Sequence, residues 1–139
     1  MRRALLVMAV MLLAGCGGGG KSSPEAGVVS GLGDRGITAR GGGHAPPGVL
    51  SLASTMYRVP GGELHLFRFP SEQRARQAAS LVEPDGYMVT NDTGVNQIVD
   101  WVAPPHWFRA GREIAIYLGS SADVIGALEA IAGPQFAGA

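Results

Sequence analysis

Catalysis or metal binding needs a nucleophile, a base or a ligand set, and this chain is poor in all three. One cysteine, Cys16, and three histidines, His44, His65 and His106, make up its thiols and imidazoles. No histidine is followed at i+2 to i+5 by a second ligand, the spacing by which zinc sites are read. Asp100 and Glu113 flank His106 on neighbouring predicted strands. A base or metal site built on His106 with Asp100 or Glu113, as in an envelope hydrolase or metal-dependent enzyme, is the one catalytic constellation this order suggests. The favoured expectation for His106 is structural, a hydrogen-bonded ring beside the Pro104-Pro105 corner. Serines are plentiful, but none sits in G-x-S-x-G or S-x-x-K, the settings that activate a hydroxyl. Gly31-Leu32-Gly33-Asp34-Arg35-Gly36 matches G-x-G-x-x-G in letters only. A dinucleotide site needs a strand before the glycines, a helix after them and an acidic residue about 20 positions on. Here Ile37-Thr38-Ala39-Arg40 follows and Ser54-Thr55 occupies the distant position. A helix end and a turn are expected there, and no cofactor is implied.

Cys16 stands in a different setting. Arg2 and Arg3 open the chain, an apolar run follows from Ala4 to Ala14, and Leu13-Ala14-Gly15 precedes the cysteine. A charged start, an apolar stretch of this length and small residues before a cut describe a secretory signal. The run is too short to span a membrane, which takes about 20 apolar residues. With its cysteine directly after Leu-Ala-Gly, the segment resembles a bacterial lipoprotein signal, the lipobox. That resemblance implies alkylation of the Cys16 thiol by a diacylglycerol and cleavage between Gly15 and Cys16. It implies an extracytoplasmic protein, lipid-anchored to the cell membrane or to an outer membrane where the host has one. Stable anchoring takes two acyl chains, each buried methylene contributing about 0.8 kcal/mol, and a diacylglycerol supplies both.

Charge narrows the partners. The whole chain balances 11 basic against 11 acidic residues, and loss of Arg2 and Arg3 with residues 1–15 leaves 9 against 11, a net −2. Such a surface has no electrostatic footprint for nucleic acid, and no polybasic patch for anionic lipid. With Cys16 taken by lipid, no other thiol remains for disulfides, nucleophilic chemistry or metal binding.

Twelve of the 22 glycines lie between Gly15 and Gly43, which divides the chain. Residues 1–15 read as the signal, 16–25 as the lipidated cysteine with a flexible Gly/Ser linker, and 26–139 as one domain. Within it, Ala26 to Arg35 reads as a short helix and Gly36 to Arg40 as a strand, followed by a glycine loop through Gly48. Ser51 to Val59 and Glu63 to Phe69 read as a hairpin turning at Pro60-Gly61-Gly62. Ser71 suits a helix cap and Glu72 the first turn; Ala75, Ala78, Ala79 and Val82 follow as one buried stripe. Tyr87 to Thr90 and Gln97 to Val102 read as strands. A second hairpin pairs His106 to Arg109 with Arg112 to Leu118, where Ile114, Ile116 and Leu118 alternate with Ala115 and Tyr117, predicting one buried face. A last helix begins at Ser120 or Ser121, carries Val124, Ala127, Leu128 and Ile131, and stops at Gly133-Pro134. The fold class expected is α+β, a small antiparallel sheet with helices packed on one face.

The stretch from Pro104 to Gly119, with Pro-His106-Trp107-Phe108 leading to the Gly111-Arg112 turn, and the close Gly133-Pro134-Gln135-Phe136-Ala137-Gly138 resemble a group of uncharacterised bacterial lipoproteins. Trp107-Phe108 stands where that group suggests Phe-Tyr. The resemblance implies fold and location and no catalytic residue. Trp101, Trp107, Phe108 and Tyr117 read as a cross-strand aromatic cluster. It is either core or, with His106, a partly exposed patch for a partner, since Trp and Tyr favour interfaces. The function expected is a non-enzymatic, lipid-anchored domain that binds an envelope protein or a small ligand.

Overall fold

A computed structural model describes residues 27–138, so the signal, Cys16 and the linker lie outside the described residues. Its elements run α1 (Val28–Asp34), β1 (Arg40–Ala45), β2 (Ser54–Val59), β3 (Gly62–Arg68), α2 (Glu72–Ala79), β4 (Met88–Thr90), β5 (Asn96–Ile98), β6 (Pro105–Ala110), β7 (Glu113–Gly119), α3 (Ala122–Ala132) and β8 (Ala137–Gly138). Six strands form one antiparallel sheet in the order β1-β2-β3-β7-β6-β8, and β4 and β5 form a separate ribbon. The class is α+β, as the patterning predicts.

Strand β7 sits centrally and explains the layering. Ile114, Ile116 and Leu118 point to one side with Phe67 and Trp107, while Ala115 and Tyr117 point to the other with Leu64 and Phe108. The alternation predicts one buried face, yet every residue of β7 is buried. Two layers cover the sheet. Helices α1 and α3 share the Tyr117 face through Val28, Leu32, Val124 and Leu128. Helix α2 lies on the Ile116 face through Ala75 and is joined there by Val82 and Val89. Ala115 and Tyr117 are apolar enough to take a helix layer, which strict alternation does not reveal.

The local rules hold at the helix ends. Ser71 Oγ accepts from the Arg74 amide at 3.2 Å and caps α2, and Ser121 Oγ does the same for Val124 at 3.5 Å. Gly133, at φ +84°, ends α3. Helix α2 stops at Ala79, so Val82 leaves the helical stripe and instead makes a β-bridge with Val89. Gly31 is inside α1, and a Cβ there would stand 2.9 Å from Ile131 of α3, so the first glycine of the G-x-G-x-x-G letters permits helix–helix approach. Gly36, at φ +77°, makes the turn after it.

Two segments differ from expectation. The glycine run Gly41-Gly42-Gly43 is strand β1 rather than loop, and residues 36–39 lead into it. Gly41 and Gly42 have φ of +108° and +98°, with a register shift between Gly41 and Gly43. The backbone alone makes this edge strand, and its irregularity disfavours pairing with another chain. Residues 99–104 are not strand: β5 ends at Ile98. Beyond α3, β8 adds a short edge strand against His106 and Trp107. Only glycine fits at its end, because a Cβ on Gly138 would overlap the Pro105 carbonyl.

Candidate functional site

The His106 constellation is not assembled. His106 pairs with Tyr117 across β6 and β7, while Glu113 pairs with Ala110. Four residues of strand, about 13 Å at roughly 3.3 Å each, therefore separate them. Asp100 is exposed in the segment before β6. His106 is 7% exposed, lies 6.0 Å from the Tyr117 ring, and its Nδ1 is 2.9 Å from Gln135 Oε1. Gln135 Nε2 donates to the Gly138 carbonyl at 3.1 Å, so its Oε1 accepts and His106 Nδ1 carries the proton. The ring thus ties the end of α3 and β8 to the sheet edge.

Glu113 does a different task. Buried at 5% exposure, its carboxylate accepts the Val28 amide at 2.8 Å and the Arg68 guanidinium at 2.6 and 3.2 Å. Gly27 is small because a Cβ there would stand 2.7 Å from that carboxylate. A side chain from the central strand therefore holds the first turn of α1. Of the remaining histidines, His44 is exposed on β1. His65 Nε2 is buried, lies 3.5 Å from Glu63 Oε2, and makes no hydrogen bond among the described residues. Among the described residues no three His, Cys, Asp or Glu side chains gather as a metal site.

The aromatic set belongs to the interior, which corrects the exposed-patch alternative. Trp107, Phe108 and Tyr117 are fully buried and His106 nearly so, while Trp101 is half-buried. Successive residues of β6 face opposite ways, so Trp107 and Phe108 enter different cores. Trp101 lies outside any strand and meets Trp107 edge-on at 5.9 Å. Both indole N–H groups donate to the Gly86 carbonyl, at 2.9 and 3.2 Å. Gly86, at φ +74°, brings that carbonyl within reach, and a Cβ there would lie 2.8 Å from Trp107 Nε1. The two tryptophans thereby pin the β4–β5 ribbon over the sheet.

That pinned ribbon forms one wall of a cleft of about 480 Å³ on the α2 face. A second wall is the segment from Val49 to Leu52, the third is α2 with Arg74, Gln77 and Ala78, and Phe69 and Leu81 complete the apolar interior. The Val49–Leu52 wall is set by a turn in which the Ser51 amide donates to the Gly48 carbonyl at 2.9 Å, with Ser51 at φ +53°. That left-handed conformation is uncommon outside glycine. It lets Leu50 and Leu52 both pack on the α2-side core. The size lies within the 300–1,000 Å³ typical of small-molecule sites, which are mostly apolar with a few polar groups at fixed places.

The rim supplies those groups. Outside the lining, Arg76 is held by Glu72 at 3.1 Å, and Arg109 reaches the same carboxylate at 3.7 Å. Asn91 Oδ1 accepts from Thr93 and Val95, and Thr90 donates to Asn96. Arg74 and Asp92 are the charged residues of the rim, both exposed, and among the described residues neither side chain is paired. A smaller cavity of about 220 Å³ adjoins at Val49 and takes in His65, Gln97 and Trp101. Sequence reasoning missed this site. Its faint signal is the apolar Val49-Leu50-x-Leu52 run straight after Pro46-Pro47-Gly48, in a stretch otherwise read as loop.

Comparison with protein-family models, curated proteins and solved structures finds no match to this chain. Among the described residues no helix is long and apolar enough to cross a membrane.

Proposed function

We propose that this chain is a non-enzymatic binding domain of the bacterial cell envelope, held outside the cytoplasmic membrane by lipid on Cys16 and taking a small ligand in the α2-face cleft. The cleft of about 480 Å³ carries the binding part of this reading. Its apolar interior offers burial at about 25 cal/mol per Å², and its polar rim offers orientation. The Leu13-Ala14-Gly15-Cys16 segment supports the anchor. An enzyme built on His106 with Glu113 has no geometric support, since the two stand four strand residues apart, and with Asp100 it would join an exposed carboxylate to a ring that is nearly buried and bonded to Gln135.

Native mass spectrometry of the processed protein purified from its host tests the binding reading. A small-molecule adduct is expected on the unaltered protein and is expected to vanish in Ala78→Trp, whose indole fills the cleft. A protein without adduct, or an adduct untouched by Ala78→Trp, contradicts it.

A further inference from the structure

Resting on the cleft as the ligand site, we propose that its ligand is an apolar zwitterion, an apolar α-amino acid or a dipeptide of such residues, bound with its carboxylate on Arg74 and its ammonium on Asp92.

Three observations converge on this chemistry. The cleft interior is apolar, formed by Leu50, Leu52, Phe69, Ala78 and Leu81, and it suits an aliphatic or aromatic side chain. Its rim carries one cation and one anion from different elements, Arg74 on α2 and Asp92 after β4. These two do not pair with each other, whereas their polar neighbours are already engaged: Arg76 with Glu72, Thr90 with Asn96, and Asn91 within its own turn. A purely anionic ligand would meet Asp92, and a purely cationic one would meet Arg74, so each is opposed by a like charge. A ligand carrying both signs satisfies both. The planar guanidinium fork matches a carboxylate, and charge-assisted hydrogen bonds are about twice as strong as neutral ones. Gln77, three residues on from Arg74 in α2, adds a neutral donor and acceptor to the same lining.

Isothermal titration of the processed protein in a non-ionic detergent tests this, with leucine, leucyl-leucine, N-acetyl-leucine, leucinamide and N-acetyl-leucinamide as probes. Leucine or leucyl-leucine is expected to bind at least fivefold more tightly than any derivative that lacks a charge. The tighter of the two reports the spacing of charges that the rim accepts. Asp92→Asn is expected to erase discrimination against N-acetyl-leucine while keeping that against leucinamide, and Arg74→Gln to do the reverse. Both positions are exposed, so the variants keep the fold. Equal binding of leucine and N-acetyl-leucinamide, lost in Ala78→Trp, overturns the zwitterion and leaves the cleft standing. Failure of every probe on a protein that carries a native adduct does the same. Absence of any adduct removes the cleft itself as the ligand site.

Discussion

On one face of the sheet, α1 and α3 lie directly on Leu64, Phe108 and Tyr117, and polar atoms lock them in place. Glu113 holds the first amide of α1, and the Tyr117 hydroxyl donates to the Pro60 carbonyl at 2.9 Å while accepting the Ser121 amide at 3.1 Å. On the other face, among the described residues, α2 is the one helix, and the remaining cover is a turn at 48–52 and the β4–β5 ribbon, held by two tryptophans on one carbonyl. The helix pair covers the middle of its face and leaves an open depression of about 580 Å³ at its edge, between the turn after α1 and the first turns of α3. A helix beside two loops leaves a gap, and that gap is the cleft. On the proposed function, stability and recognition fall to opposite faces.

Substitutions can break or sharpen this contrast, and their expected effects descend in a definite order. Trp107→Ala removes the largest fully buried side chain and leaves a cavity, so stability to urea is expected to fall by about 3–5 kcal/mol. Glu113→Ala strips the Val28 amide of its acceptor and removes one partner of Arg68, and a fall of about 2–3 kcal/mol is expected, with amide exchange fastest in α1. Arg68→Ala should cost less, about 0–1 kcal/mol, because that guanidinium is 63% exposed. Trp101→Phe keeps the edge-on ring contact but loses one bond to Gly86. About 1 kcal/mol is expected, together with weakened ligand binding, since the ribbon wall loosens. Ser51→Gly should act in the opposite direction, raising stability by about 1 kcal/mol through relief of the left-handed backbone. If Glu113→Ala weakened ligand binding more than Trp101→Phe, the division of labour between faces would be wrong.

How far the fold was legible depends on the kind of signal. The two hairpins, the Ser71 and Ser121 caps and the Gly133 stop follow from turn and cap chemistry, which is local, and they stand where it puts them. The glycine strand β1 was not legible, because pairing there is purely backbone and rests on β2 lying beside it. Trp101 read as a strand residue, because its alternation fits a strand, yet tertiary contact with Trp107 and Gly86 decides its place. The second covering layer was hidden because Ala115 and Tyr117 suit either a solvent-facing or a helix-facing role. The cleft joins residues 49–52, 74–78 and 90–92 from three separated segments, and no spacing rule connects them. Glu113 shows the converse: the sequence offers a carboxylate near a histidine, and the fold turns it toward the start of α1 instead.

Attachment to the membrane is the claim on which location and access to solute both rest, and intact-mass analysis of the processed polypeptide tests it most directly. The account predicts a chain beginning at Cys16 whose mass exceeds that of the residues by a thioether-linked diacylglycerol, and loss of that mass in Cys16→Ser. A chain still beginning at Met1, or one carrying Cys16 as a free thiol, contradicts it.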